Sequence, residues 1–508
     1  MNFTKIAVAC GLAFAALSAQ AAGPTIPAGT RVIFLSGASA PDNFLADIAG
    51  SLLTNVVAIR SADTAINHRA FLGQAAAGIP GVPVGTNILF IKRSAGGSVF
   101  GVDPVARAAR IQTLDFNNCT TLTTGNFAWQ CGLRGIDPGI AGHATASNTG
   151  LVPDFGVSDV EPALFRQPYN TENGQPQLSP AELATLTNRP VNQIMMGIVA
   201  TNAVAASTHI SRSQYGGMLA GLIQDWSQID GSTDPVVVCR RVDGSGTQSS
   251  YNWFFTGFPC NNASNGFSAT VPATAGDSFG FVGGAGTVAN PIVIDPSAGF
   301  TVIENSGSGD VRNCLTAAQN GTDFNVRGSN NLNYRVLFSN VGGPSKAIGV
   351  LSLDSYVTAG TGANGYTFRH LDGAGTYTYT GGTDGSGTQA SSAGATGIAP
   401  SKANLVNGLY DFVVELSIQA RNAAVTNVNG DVVPALSTDA VKTGFFNEFV
   451  RRAGSTRYTG NDGGTFVTVP NAFATLPQVA SYATRPALVS KFSRGGNTCA
   501  PLIAFPPL

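Results

Sequence analysis

Charged side chains are scarce in this 508-residue chain. Lysine, arginine, aspartate and glutamate together make up 11% of the residues, and the formal net charge is −1, whereas charged residues make up about 25% of a typical soluble protein. A charge this sparse and balanced provides no basic surface for nucleic acid or an anionic membrane. Any specificity for an anion must therefore be built locally, and no nucleic-acid partner is predicted.

The sequence also has few features of a catalytic or metal site. The four histidines are far apart and in no metal-ligating spacing, and no CxxC pair occurs. "GAGTVA" at 284–289 loosely matches a dinucleotide fingerprint, but no helical pattern follows it, so we expect a loop there. We therefore predict no catalysis, no metal and no cofactor. Surface or structural roles are expected for His68, His143, His209 and His370.

The first residues match a secretory signal peptide, 1–21. Lys5 precedes an apolar run from Ile6 to Leu17, and "SAQA" ends at Ala21 in a small-x-small pattern, so we predict cleavage after Ala21. The apolar run is shorter than the ~20 residues that span a bilayer, which disfavours a membrane anchor. Cys10 lies inside the run rather than at its end, which disfavours a lipoprotein anchor. A periplasmic or secreted protein is expected.

Removal of Cys10 with this segment leaves six of the seven cysteines. An even number in an exported chain favours disulfides. Pairing of neighbours in sequence would give 119–131, 239–260 and 314–499, although other pairings remain open. The candidates are Cys119, Cys131, Cys239, Cys260, Cys314 and Cys499.

Strands that alternate with helices indicate an α/β fold with a parallel sheet. Four of the predicted strands end directly in a Ser/Gly-type turn: "VIFLSGASAP", "ILFIKRSAGGS", "DFGVSDVEP" and "VVVCRRVDGSGTQSS". Ligands of such sheets bind at the turns beyond the carboxyl ends of the strands. Because the chain is longer than one core usually allows, we expect at least two domains.

Turns of this kind present hydroxyls and backbone N–H groups at a helix N-terminus, where the helix dipole favours an anion. One turn alone is weak evidence, since Ser and Gly also serve as caps and turn residues. Four such turns with an added Arg and Asp form a more specific pattern, which predicts an anion site.

These motifs resemble the phosphate-binding proteins of bacterial phosphate ABC transporters, within the type II periplasmic-binding-protein superfamily. The resemblance rests on "GASAP" at 37–41, "SAGG" at 94–97, "DFGVSD" at 154–159 and "RVDGSGT" at 241–247, in the family's order. It implies a monomer that binds inorganic phosphate in the cleft of a two-lobed α/β fold and delivers it to an ABC permease.

The resemblance also implies where the lobes lie in the chain. Lobe one would comprise 22–200 and 360–508, and lobe two would comprise 201–359. The Gly/Asn/Thr-rich stretches at 103–150, 261–344 and 359–402 depart from the family's compact pattern and would be insertions.

Carried over by motif, the resemblance implies a set of phosphate ligands with distinct roles. Hydroxyls, backbone donors, a carboxylate and a guanidinium would act together. Independently of the resemblance, Asp243 is close enough in sequence to orient the guanidinium, and Arg240 is expected on the other face of the strand, in a structural role. The expected ligands are Ser39, the N–H of Ala40, Ser94, Asp159, Arg241, Ser245, Gly246 and Thr247.

Asp159 determines which anion such a site would accept. A carboxylate beside a bound anion is repulsive unless a proton lies between them, and phosphate carries such a proton at neutral pH whereas sulfate does not. The predicted ligand is therefore phosphate, with arsenate as the anion excluded least. An alternative role for Asp159 is a helix N-cap in "SDVEP".

Two other classes of function remain open. A phosphate-ester hydrolase would need a nucleophile or metal cluster. An extracellular or surface protein with the same fold, acting in adhesion or phosphate scavenging without a permease, would fit the low charge and the insertions. The second copy of the "DGSGTQ" motif, at 384–389, has no preceding Arg and is expected to be a flexible loop.

Overall fold

The computed structural model describes most of the chain. The described residues are 23–507 except 64, 137–148, 173–174, 261–271, 329–331, 356–363, 381–387, 460–464 and 468–471. The predicted signal peptide and His143 lie outside them. No helix in the described part is both long and apolar enough to cross a membrane.

Strands and helices alternate along much of the described chain. The helices are α1 (Asp42–Ser51), α2 (Asp103–Ala106), α3 (Pro180–Ala184), α4 (Arg212–Leu219), α5 (Gly246–Tyr251), α6 (Ser308–Asn320), α7 (Lys402–Val406) and α8 (Ala440–Gly454). The first eight strands are β1 (Arg31–Gly37), β2 (Leu53–Ser61), β3 (His68–Ala75), β4 (Asn87–Arg93), β5 (Thr113–Thr121), β6 (Trp129–Arg134), β7 (Phe155–Ser158) and β8 (Leu186–Thr201). The strands that follow are β9 (Val237–Arg241), β10 (Phe281–Val282), β11 (Ile292–Ile294), β12 (Thr301–Asn305), β13 (Phe324–Arg327), β14 (Asn333–Val336), β15 (Ala347–Ser352), β16 (Tyr366–Arg369), β17 (Thr376–Thr380) and β18 (Thr388–Ser391). The last are β19 (Val413–Arg421), β20 (Val425–Thr426), β21 (Val432–Val433), β22 (Arg457–Thr459), β23 (Thr465–Val467), β24 (Phe473–Thr475), β25 (Phe492–Ser493) and β26 (Ile503–Ala504).

One curled sheet organises the fold, in the strand order β12-β9-β15-β8-β19-β7-β1-β4-β3-β2-β6-β5. β1 runs parallel to β4 and β7, and β9 runs parallel to β12 and β15. The long strand β8 pairs antiparallel with both β15 and β19 and so joins the two parallel sets. The α/β class is confirmed, but the sheet is mixed rather than parallel throughout. The two lobes and their residue bounds remain a prediction.

Helix α8 shows how the sequence pattern produces the packing around β1, β4 and β7. Asp439 caps the helix by accepting hydrogen bonds from two backbone N–H groups of its first turn. Phe445 and Phe449 recur at helical spacing, and their rings lie 5.4 and 5.7 Å from the ring of Phe90 on β4. Full burial of each such side chain contributes roughly 2–3 kcal/mol, so this face fixes α8 against the sheet.

The strand registers bring the predicted turns to one edge of the sheet. Ser36 at the end of β1 lies opposite Arg93 at the end of β4. Gly37 lies opposite Val157 near the end of β7. Because these strands are parallel, the three turns that follow them share the same end of the sheet.

The segment 301–320, expected to be part of an insertion, belongs to the central architecture instead. β12 pairs parallel with β9, and α6 packs against β9, β12 and β15 with Val311, Cys314 and Leu315 buried. The expectation of an insertion over 261–344 is therefore wrong for these residues. The composition of the region obscured a further strand–turn–helix unit.

Three disulfides connect the described chain, and only one joins the expected pair. Cys119 and Cys131 are bonded across the neighbouring strands β5 and β6, as predicted. The predicted pairs 239–260 and 314–499 are wrong. Cys239 is bonded to Cys314 and Cys260 to Cys499. The reason is spatial: α6 packs on β9, while the chain after α5 leads Cys260 away towards the C-terminal segment.

The Cys260–Cys499 disulfide should contribute more to stability than the hairpin disulfide. It joins residues 239 positions apart, against 12 for Cys119–Cys131. Chain-entropy estimates are roughly 5 and 3 kcal/mol, respectively. Urea unfolding of the C260A/C499A variant should show the larger fall in midpoint, with C119A/C131A as the matched comparison. A larger fall in C119A/C131A would contradict this.

Candidate functional site

Arg241, the last residue of β9, lies at the centre of the site. Its guanidinium donates from Nη1 to Ser39 Oγ at 3.0 Å, from Nη2 to the Ser306 carbonyl at 2.6 Å and from Nε to the Asn305 carbonyl at 3.1 Å. The side chain is fully buried. Burial lowers the pKa of Arg241 to about 10, although the negative charge of Asp159 opposes this. The guanidinium is therefore positively charged at neutral pH.

The N-terminus of α6 supplies donors that the sequence analysis did not identify. The Ser308 N–H donates to Ser39 Oγ at 3.2 Å, and the two hydroxyl oxygens lie 3.1 Å apart. Arg241 Nη1 also reaches Ser308 Oγ at 3.4 Å. α6 has 13 residues, so its dipole places a partial positive charge beside Arg241. "TVIENSGSGD" at 301–310 carried the signal, since it is again a strand followed by a Ser/Gly turn.

Asp159, directly after β7, has a buried carboxylate in which one oxygen accepts no hydrogen bond from the described residues. Thr247 Oγ1 donates to its Oδ2 at 3.3 Å, and its own backbone N–H donates to Ser98 Oγ at 3.1 Å. Oδ1 is buried and has no hydrogen-bond partner among the described residues. Burial raises the pKa of Asp159 to about 6, and the charge of Arg241 and the hydroxyls of Thr247 and Ser98 oppose the rise.

The alternative reading of Asp159 as a helix N-cap is wrong. The short 3-10 helix that follows spans Pro162–Leu164, and the residue at its N-cap is Glu161, which makes no side-chain capping bond. Asp159 contacts Thr247 instead, across from its own strand. Its side chain is therefore available to the site.

Glycines let the turns after β4, β7 and β9 approach one another closely. A Cβ on Gly246 would lie 2.3 Å from Ser98 Oγ and 2.8 Å from Asp159 Cβ. A Cβ on Gly97, whose φ is +84°, would lie 2.9 Å from the Cα of Ser245. Any side chain at these two positions would push the turns apart, so the Gly residues are required for the site's geometry.

The remaining predicted donors lie near this centre in different settings. Ser245 caps α5 by accepting from the Gln248 N–H at 3.3 Å. Ala40 is buried, and its carbonyl accepts from Ser352 Oγ at 2.7 Å. Direct hydrogen bonds thus join Arg241 to Ser39 and Thr247 to Asp159, and the charges of Arg241 and Asp159 act on one another. The ligand roles of all the predicted residues remain proposals.

Ser94 has its polar groups engaged away from Arg241. Its hydroxyl donates to Asp42 Oδ1 at 2.7 Å and accepts from Lys92 Nζ at 2.7 Å, and its N–H donates to the Asn67 carbonyl. Lys92 also forms an ion pair with Asp42 at 3.2 Å. Ser98, four residues further along the same turn, contacts Asp159 instead. The "RSAGGS" turn therefore contributes a residue that sequence reasoning passed over.

Asp243 does not orient Arg241, contrary to expectation. Its carboxylate pairs with Arg240 Nη2 at 2.5 Å. Arg240 also donates to the carbonyls of Arg241 and Ala273. Successive side chains of a strand point to opposite faces, so Arg240 and Arg241 lie on different sides of β9, and Asp243 turns towards the former. Arg240 is structural, as predicted.

Three other sequence features have no role in this site. The second "DGSGTQ" copy lies largely outside the described residues, but its end, Thr388–Ser391, forms β18 rather than a loop. "GDSFG" at 276–280 has the spacing of a serine-nucleophile turn, yet Ser278 Oγ bonds the backbone N–H and carbonyl of Val302 at 2.9 and 3.3 Å. "GAGTVA" is a loop, as predicted.

The chain matches no protein-family model and no curated protein. Solved structures that resemble it include a Clostridium perfringens protein described as a phosphate ABC transporter substrate-binding protein with bound phosphate, which is 12% identical at a TM-score of 0.38, over 83% of this chain and 93% of that one. A second is an ancestral soluble variant of a human phosphate binding protein, 14% identical at 0.39 over 87% and 91%. A third is an ABC-type phosphate transport receptor from Vibrio cholerae, 13% identical at 0.28 over 59% and 74%. Likenesses this distant identify no corresponding residues.

Ionisation of Asp159 should destabilise the ligand-free protein. The folded pKa of about 6 exceeds the ordinary value of 3.8, so the stabilisation linked to its proton is complete below pH ~4 and lost as the pH rises through about 6. Asn cannot ionise. Asp159→Asn should therefore raise the unfolding temperature at pH 7.5 by roughly 2–5 °C and have little effect at pH 4. Scanning calorimetry in phosphate-free buffer would measure this, and an equal loss of stability at both pH values would contradict it.

Proposed function

We propose that this protein binds inorganic phosphate and acts as an exported solute-binding protein with an ABC permease as its partner. The observation that carries the proposal is the buried Asp159 Oδ1, an acceptor without a partner among the described residues, in a site that otherwise presents donors. An unsatisfied buried acceptor costs about 1–3 kcal/mol or more. Such a group is retained where a ligand satisfies it.

The donors favour a tetrahedral oxyanion. Arg241 presents a planar fork of N–H groups, which suits two oxygens of one anion. The hydroxyls of Ser39 and Ser308 lie within 3.4 Å of the same guanidinium nitrogen. The α6 N-terminus adds a favourable dipole. Positive charge and hydroxyls from separate elements would thus surround an anion on several sides.

The carboxylate then selects among oxyanions by their protons. With a pKa of about 6, Asp159 is mostly ionised at neutral pH and can only accept. A protonated phosphate oxygen donates to it, whereas fully ionised sulfate would place two acceptors together away from water. Sites that depend on one such hydrogen bond reject the analogue lacking it by ~10⁴-fold or more.

Binding would require the present contacts of Arg241 to rearrange. Ser39 belongs to the predicted lobe one, whereas Arg241 and Ser308 belong to the predicted lobe two, and they now bond one another directly. Phosphate inserted among them would exchange these bonds for bonds to the anion from both lobes. Its differential affinity would favour the closed state, which a permease can recognise.

Replacement of Arg241 by Lys should weaken phosphate binding by roughly 10–100-fold, because the charge remains but the bidentate fork is lost. Isothermal titration of phosphate-stripped protein would measure this. The matched control is Arg110→Lys, since Arg110 pairs with Asp431 at a partly exposed position away from the site. Wild-type affinity in Arg241→Lys, or an equal loss in Arg110→Lys, would contradict the assignment.

Sulfate provides the sharper test of Asp159. Asp159→Asn replaces an obligate acceptor with a group that can donate, so sulfate affinity at pH 7.5 should rise at least ~100-fold while phosphate affinity falls. Competition titrations with both anions would report the ratio. If the variant still rejects sulfate as the wild type does, Asp159 is not the selecting group.

The wild-type protein should also lose sulfate rejection in acid. As the pH falls from 7.5 to 5, Asp159 passes through its pKa of about 6 and becomes a potential donor, whereas sulfate does not change charge in this range. Sulfate affinity should therefore rise with acidity in the wild type and stay constant in Asp159→Asn. Parallel pH dependence in both proteins would rule out this carboxyl as the cause.

A further inference from the structure

A cavity lies beside the candidate anion site. The turn between β12 and α6, which contains Ser306, lies between the two. It has a volume of about 520 Å³. Ser306 belongs to both places: it lines the cavity, and its carbonyl accepts from Arg241. The Gly96 N–H donates to Ser306 Oγ at 3.1 Å and so closes the wall between them. The cavity is therefore adjacent to the anion site but separated from it by this turn.

His68, at the start of β3, is a buried imidazole in the cavity wall. It is 2% exposed, and both ring nitrogens are buried. Burial and the charges of Arg93 and Lys92 lower the pKa of His68 well below its usual range, and a hydrogen bond with the Gln112 backbone opposes this shift. The ring is thus neutral.

Two carboxylates from separate elements, Asp63 after β2 and Asp310 on α6, add acceptors. Asp63 Oδ2 accepts from the Asn67 N–H at 2.8 Å, and Asp310 Oδ2 accepts from the Gly307 N–H at 2.8 Å. These bonds fix both carboxylates in place, and each lines the cavity. Burial raises the pKa of Asp310, while the hydrogen bond from Gly307 and the charge of Arg241 oppose the rise and the charge of Asp63 adds to it. A hydrogen-bond donor between them would be stabilised.

The remaining wall mixes both kinds of hydrogen-bonding group with one aromatic ring. The amides of Asn67 and Asn313 can donate and accept, the guanidinium of Arg327 donates, and Phe324 contributes an apolar surface. Neither an anion nor a simple cation fits best, because carboxylates and a guanidinium face the same space. An apolar ligand would leave the polar wall unpaired.

We propose that this cavity binds a polyhydroxylated small molecule, a sugar or cyclic polyol. Each hydroxyl both donates and accepts, which matches a wall that combines the carboxylates of Asp63 and Asp310 with amides and a guanidinium, and a sugar ring presents an apolar face that can pack against Phe324. The volume suits a ligand of this size. The proposal does not depend on phosphate binding, since none of the groups it uses holds the anion.

Saturation-transfer NMR and isothermal titration with D-glucose, myo-inositol and maltose test the proposal. At least one of these probes should bind the wild-type protein. Asn313→Phe, which fills the cavity from α6, should weaken that binding more than tenfold. The matched control is Asn320→Phe, at the exposed end of the same helix and outside the cavity wall, which should bind as the wild type does. No binding by any probe, or equal binding in Asn313→Phe, overturns the proposal.

The His68 ring gives a direct readout of where a probe binds. Its long-range ¹H–¹⁵N signals, assigned with His68→Gln, should shift on addition of the probe that binds. Unchanged His68 signals would place that probe elsewhere and overturn the assignment of the cavity. Phosphate titrations of the same variants separate the two sites: a wild-type protein that binds the polyol but not phosphate would refute the proposed function alone.

Discussion

The buried positive charge of Arg241 is the constraint on which the rest of this site depends. A charge removed from water must be paired or fully hydrogen-bonded. Arg241 satisfies this with carbonyls of Asn305 and Ser306 and with the hydroxyl of Ser39. The first two require β12 to lie parallel beside β9, and the third requires the turn after β1 to meet it from across the sheet. One side chain thus links three elements.

A disulfide and close backbone contacts hold the segments around Arg241 in place. The Cys239–Cys314 disulfide joins β9, which carries Arg241, to α6, which begins at Ser308. Gly97 and Gly246 allow the opposing turns to touch. Against this rigid background, Asp159 keeps a buried oxygen without a partner. An unsatisfied buried polar atom within otherwise well-packed surroundings is typical of a functional site.

Much of this site could be predicted from sequence because each of its turns follows a strand directly. A buried apolar run ending in Ser, Gly, Asp or Arg is visible without a structure, and parallel strands bring such ends together. The strand-end pattern located the turns, and the family resemblance of their motifs then implied Ser39, Asp159, Arg241 and Thr247. Ser308 was missed because the Gly/Asn-rich composition of its neighbourhood concealed the same pattern in "TVIENSGSGD".

Other features depend on packing that sequence does not show. Asp243 lies two residues from Arg241 and three from Arg240, and only the direction of the side chains shows that it pairs with Arg240. The disulfides of Cys239 and Cys260 follow from where α6 and the C-terminal segment pack, not from distance along the chain. Ser94 and Ser98 share a turn, and its exact path determines which hydroxyl reaches Asp159.

The central claim is that a buried guanidinium and an unpaired carboxylate oxygen together form a site for a protonated oxyanion. Titration of the phosphate-stripped wild-type protein at pH 7.5 with phosphate, and separately with sulfate, tests it most directly. The account predicts heat at one phosphate per chain and none with sulfate at the same concentrations. No binding of phosphate, or comparable binding of both anions, would contradict it.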